Sequence, residues 1–97
     1  MASEISLKPD DLRYEARVYM EAAEAIEAEK NKVKAQNDVM RNHWKGRAFE
    51  AYEEQFNQVA AHVVEFNALL VSIYEQLNKY ADVQEARDYE DASYFGI

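Results

Sequence analysis

Two histidines, nineteen carboxylates and one cluster of cations are the groups in this 97-residue chain that could carry chemistry. His43 and His62 stand 19 positions apart, and neither belongs to an HxxxH or HExxH pattern. Di-metal sites in helical bundles use Glu-x-x-His, whereas the residues three before these histidines are Met40 and Val59. Glu50, Glu53 and Glu54 have the helical spacing of a solvated face, with no nucleophile–base pair or phosphate-binding glycine loop beside them. The expectation is no enzyme, no metal and no cofactor.

The cations are Lys30, Lys32, Lys34, Arg41, Lys45 and Arg47, interrupted by the single acid Asp38. Such a run can bind a phosphate backbone, but it also suits the end of a helix, where the backbone dipole is negative. The whole chain carries −8, and residues 48–97 hold ten acids against Lys79 and Arg87. A surface of that sign repels nucleic acid and anionic lipid, so neither is expected as a partner.

Those residues need elements to place them, and the spacing of apolar positions supplies two. Leu12, Ala16, Tyr19, Ala23, Ile26, Lys30, Val33, Asn37 and Met40 alternate steps of four and three. Phe49, Tyr52, Phe56, Val59, Val63, Phe66, Leu70, Ile73, Leu77 and Tyr80 repeat the alternation without a polar member. This is the seam of one helix laid lengthwise on another, and it excludes strands. Pro9 fits a first helical turn and Asp10 and Asp11 its positive pole, with Ser6 as a candidate cap. Gly46 is the one interior breaker and is placed to close the first helix in a left-handed conformation. The predicted order is helix 1 over about 9–42, a turn at 43–47, helix 2 over about 48–84, and a flexible acidic tail at 85–97.

The fold expected is all-α: an antiparallel helical hairpin that dimerises into a four-helix bundle. A chain this small without cysteine has little core and no disulfide to stiffen it. It also has apolar positions to spare, with Ala60, Val64, Val71 and Tyr74 forming a second stripe on helix 2 and Val18, Ala22 and Ala25 on helix 1. Leaving them in water forfeits about 25 cal/mol per Å² of apolar area. A second hairpin is the economical cover. The packing residues are therefore Ile26, Val33, Met40, Phe49, Phe56, Val63, Val64, Phe66, Leu70, Val71, Ile73 and Leu77. Charged residues break every window of about 20 residues, so no membrane span is expected, and "MASEISLKPDD" lacks the basic and apolar regions of a signal peptide.

The remaining feature is "RNHWKGRAFEAY", where the only tryptophan, Trp44, sits two residues before Gly46 at the middle of the chain. Trp44 reads as a hydrophobic cap on the turn or as one wall of a groove that another protein recognises. Trp-x-Gly between two long amphipathic helices, with "WKGRAFEAYEEQFNQ" and "EFNALLVSIYEQLN" downstream, resembles the WXG (ESAT-like) family of small type VII secretion substrates, in its Gram-positive homodimeric branch. The resemblance implies a protein exported as a folded antiparallel dimer by a membrane ATPase-driven machine, secreted without a signal peptide and cytoplasmic beforehand. It implies that Trp44 and Gly46 form one part of an export signal and that Asp88 and Phe95 belong to the other. The tail departs from the family's Tyr-x-x-x-Asp/Glu pattern, because Tyr80 leads to Gln84 and Tyr89 to Ser93. Two roles follow: an exported substrate pairing with itself or a related small helical protein, or a non-exported adaptor that pairs with a helical region of a larger toxin.

Overall fold

The computed structural model describes residues 7–94, which form two helices joined by a short turn. Helix α1 spans Pro9–Arg41 and helix α2 spans Arg47–Tyr94. They pack antiparallel into a hairpin measuring 75 × 25 × 16 Å. Lys8 occupies the N-cap of α1, and its backbone N–H donates to the Asp11 carboxylate at 3.3 Å. Ser6 lies outside the described residues.

Burial shows which rows of each helix meet. In a two-helix molecule a side chain can be covered only by its own helix or the other one. On α1 the covered row is Ala16, Ala23, Lys30 and Asn37, spaced by seven; on α2 it is Phe49, Phe56, Val63, Leu70 and Leu77. Small residues on α1 facing large ones on α2 let the axes approach closely while the large side chains fill the gap. Alongside, Ala60, Asn67, Tyr74 and Ala81 of α2 are covered too.

The expected seam is therefore corrected on one side of each helix. Tyr52, Val59, Phe66 and Tyr80 remain 38–55% exposed, and so do Tyr19, Val33 and Met40 at 37–42%. The reason is geometric: a row at i+3 and a row at i+4 flank the central row by about 50° on opposite sides. The hairpin on α2 covers the i+4 row, although the i+3 row is the more apolar. The second stripe also divides: Ala60 and Tyr74 turn toward α1, whereas Val64 stays 52% exposed on the opposite side from Val59 and Phe66.

Helix α2 also runs ten residues past the expected end at 84, so 85–94 is helical and the flexible tail is corrected there. Glu85, Ala86, Arg87 and Ala92 are strong helix formers and no glycine intervenes before Gly96. Loss of the apolar period marks loss of a packing neighbour, not loss of helix. At 48 residues against 33, α2 projects about 20 Å beyond the first turn of α1. An 18-residue window of α2 reaches mean hydropathy 1.2, long and apolar enough for a span by composition alone. His62 and Glu65, with side chains 81% and 76% exposed, sit within that helix with Nδ1 and Oε1 3.5 Å apart.

Candidate interaction surface

The turn starts where α1 runs out of partners for its last carbonyls. Backbone N–H groups of Asn42, His43 and Trp44 donate to Val39 and Met40 carbonyls at 3.1, 2.9 and 2.7 Å, which tightens the final turn. Asn42, in a right-handed conformation, is the C-cap. Gly46 instead precedes α2, with φ of 115° and its carbonyl accepting from Glu50 N–H at 3.1 Å. The glycine thus opens the second helix and does not close the first. A Cβ there would meet no atom within 4 Å, so backbone conformation alone requires glycine.

This geometry folds Trp44 back onto α2. Its indole meets Phe49 edge-on at 5.4 Å and stacks on Tyr52 at 6.1 Å, while Phe49 and Tyr52 rings lie 6.0 Å apart. Phe49 is 3% exposed and Trp44 40% exposed, so one ring anchors the turn and the other keeps a free face. The Tyr52 hydroxyl donates to Asn37 Oδ1 at 3.0 Å, tying α1 to α2 just behind the turn. Asn37 Nδ2 finds no acceptor among the described residues.

From this cluster an apolar groove runs up one face of the hairpin. Val33, Met40, Trp44 and Tyr52 line a hollow of about 580 Å³. Val33 is shared with the next hollow, about 390 Å³, walled by Ile26, Phe56, Val59 and Val63. Phe66 continues the row at 50% exposed, with Ile73 half-buried beyond it and Tyr80 at 49%. The sequence-predicted packing residues Ile26, Val33, Met40, Phe56, Val63, Phe66 and Ile73 are thus collected on or beside this face. Leu70 and Leu77 lie in the covered row, and Val64 and Val71 sit on the other face.

That other face is ion-paired at both ends, around a shallow hollow of about 430 Å³ lined by Met20, Ala23, Glu27, Asn67 and Val71. Arg13 reaches across to Asp82 at 2.6 Å and Glu85 at 3.0 Å and also holds Asp10 at 2.9 Å. At the turn end Arg41 pairs with Glu53 across the hairpin and with Asp38 at 2.9 Å on its own helix. These bonds raise both guanidinium pKa values, chiefly through Glu85 for Arg13 and Glu53 for Arg41. Between them, Lys30 at 3.2 Å holds the Glu27 carboxyl below the usual carboxylate range. Sequence reading missed these cross-helix pairs, since only the folded hairpin brings Arg41 to Glu53 and Arg13 to Asp82 and Glu85.

The predicted recognition residues separate. Trp44 and Gly46 are together at the turn, while Asp88 is exposed about 60 Å away along α2, beside Tyr80, Val83, Gln84 and Arg87. Phe95 lies outside the described residues.

Against known proteins, residues 4–89 match the family WXG100, described as proteins of 100 residues with WXG. An uncharacterized protein of Clostridium acetobutylicum is 45% identical, covering 98% of this chain and 99% of that one. The type VII secretion system extracellular protein A of Staphylococcus aureus is 32% identical, with 96% of each chain covered. Among solved structures, EsxA of Geobacillus thermodenitrificans superposes with a TM-score of 0.84 at 25% identity, covering 95% of this chain and 99% of that one. Trp44-Lys45-Gly46 at the turn of a two-helix hairpin is thus the signature of a known group: the chain belongs to the WXG100 family.

Proposed function

We propose that this protein is a small type VII secretion substrate, or a co-secreted partner of one, that acts by protein–protein recognition. Two hairpins pair antiparallel through the apolar face, closing a four-helix bundle from two copies or from one copy and a related small helical protein. The observation that carries this reading is the row Tyr52, Val59, Phe66 and Tyr80, apolar and 38–55% exposed beside a matching row on α1. Each such side chain is worth roughly 1.5–3 kcal/mol when fully covered, so the face favours association. Export is supported by family membership and by a relative named as a type VII secretion system extracellular protein.

On this reading the folded pair waits in the cytoplasm and is handed to the membrane ATPase of the system. The exposed face of Trp44, with Gly46 setting its turn, is one part of the recognition surface; Asp88 and Phe95 supply the other. No step calls for catalysis or a cofactor, since recognition needs only shape and charge. Removing residues 89–97 from a tagged chain tests it in a host carrying the system: release into the medium should stop while the native mass stays that of a dimer. Absence of the full-length chain from the medium would refute export.

The tail favours a second reading, because Gln84 stands where the family's signal places an acid after Tyr80. In that case the chain is an adaptor that pairs with a helical segment of a larger toxin and stays behind. Restoring the acid with Gln84→Glu separates the two, since increased release supports an exported chain with a weak signal.

A further inference from the structure

The ion-paired face holds a polar side chain that the hairpin itself does not use. Asn67 is 9% exposed, and among the described residues neither its Oδ1 nor its Nδ2 makes a hydrogen bond. Its amide lies near the Glu27 carboxylate, whose low pKa is due chiefly to Lys30 and only in smallest part to Asn67. A buried amide in that condition costs stability, and an aliphatic side chain in its place would cost less. The heptad-spaced members of its own row are Ala60, Tyr74 and Ala81. Packing of the hairpin alone therefore gives no reason for an asparagine here.

Asn67 borders the hollow of about 430 Å³ on that face. Half-buried Met20 and Val71 with buried Ala23 make the apolar part of its lining, and Glu24 and Glu27 the charged part. Asn67 stands about 30 Å along α2, between the bridge of Arg41 to Glu53 at about 9 Å and that of Arg13 to Asp82 at about 52 Å. Between those bridges the described residues make no ion pair from one helix to the other. The charge around the hollow is negative. Glu24 is exposed and in no ion pair among the described residues, with Glu21 one turn before it and Glu75 one turn after Val71. Of the nearby cations, Lys30 is held by Glu27 and Arg17 lies over the Tyr14 ring at 5.9 Å.

An apolar bed, an unmet carbonyl and a free carboxylate together suit a cation carried on an aliphatic stem. A lysine or arginine lays its methylenes on Met20 and Val71 and gives its N–H groups to Glu24 and to Asn67 Oδ1. A shallow trough between two helices, about 40 Å from bridge to bridge, matches a third helix better than a compact small molecule. We propose that this hollow docks a basic amphipathic helix of a different protein, which seats a lysine or arginine between Glu24 and the Asn67 amide and packs its aliphatic row on Met20 and Val71. The amide meets the incoming group by turning about its last torsion, which is soft and here breaks no hydrogen bond. A further copy of this chain is the poorer occupant, because each copy brings a charge of −8. The site lies within one hairpin, on the face away from the one proposed for pairing, so a pair displays it twice.

The probe is a fluorescein-labelled peptide of about 20 residues, long enough to form a helix, with leucines along one face and lysines and arginines flanking them. Its control carries glutamates in place of the cations. Fluorescence anisotropy with the full chain should show saturable binding of the basic peptide, weakened by salt, and none of the control. Glu24→Lys and Val71→Asp should each weaken binding about tenfold or more; Asn67→Leu should weaken it about tenfold while the Tm of the chain alone stays level or rises. Phe66→Asp, on the pairing face, should leave it unchanged. Absence of saturable binding, undiminished binding by Glu24→Lys, or a loss with Phe66→Asp that matches Val71→Asp overturns the site. A fall in Tm for Asn67→Leu overturns the role of the amide by making it structural. Growth of the chain beyond a pair in sedimentation, abolished by Val71→Asp, gives the hollow to a further copy and overturns the choice of partner. A chain that stays monomeric refutes the pairing and still binds the peptide, so the two readings fail separately.

Discussion

The two long faces of the hairpin use the same heptad spacing for opposite ends. On one face the row Arg13, Met20, Glu27, Lys34 and Arg41 flanks the covered row of α1, and its terminal arginines reach across to α2. On the other, Leu12, Tyr19, Ile26, Val33 and Met40 flank the same covered row, and their neighbours on α2 are Tyr52, Val59, Phe66 and Tyr80. The first face ties its two ends within one chain and leaves only a shallow hollow beside Met20 and Val71 between them. The second leaves area uncovered, although nothing in its helical geometry differs. What separates them is the residue type one position over, which shows that a single step of about 100° decides whether a face is tied at its ends or left open along its length.

Breaking that contrast at its root means removing the ring on which both faces depend. Phe49→Ala should destabilise the hairpin by about 3–5 kcal/mol, seen as a large drop in Tm by circular dichroism, because Phe49 is 3% exposed and anchors both Trp44 and Tyr52. Phe66→Asp should leave the hairpin helical but raise the dimer dissociation constant at least a hundredfold, about 3 kcal/mol, by sedimentation. Val64→Asp, of similar exposure on the ion-paired face, should shift that constant little; equal effects would erase the distinction between faces. Gly46→Ala should cost about 1–2 kcal/mol of thermal stability, since φ of 115° is strained for any side chain while no atom obstructs it.

The smallest effect concerns the exposed ion pairs. Arg13→Gln should lower Tm slightly at low salt and not at high salt, because the pairs are open to screening. The Glu27 carboxyl is held below its ordinary range, so its pairing with Lys30 stabilises the fold above the unfolded carboxylate pKa. That contribution is lost as pH falls through the depressed folded value. Glu27→Gln should remove this part of the acid sensitivity in a pH titration of Tm.

The period of three and four located both helices and all five large residues of the covered row, Phe49 to Leu77. It could not choose between flanking rows, since Val59 and Ala60, or Ile73 and Tyr74, are apolar alike and only the facing helix says which is covered. The position of Gly46 as the opener of α2 was equally hidden, because a positive φ suits either side of a tight turn. Trp44 and Gly46 were legible as a pair from type and spacing. Asn37 was visible in the sequence only as a polar member of the seam on helix 1; its bond to Tyr52 needed the fold.

Among the described residues no large side chain is sealed completely from solvent, and the molecule is only 16 Å thick in its narrowest direction. On the proposed pairing, a plank with so shallow an interior would draw much of its resistance to opening from whatever lies against it, and its folded fraction would rise and fall with the concentration of its mate. A copy left without that cover would open more often and be the one a protease reaches first.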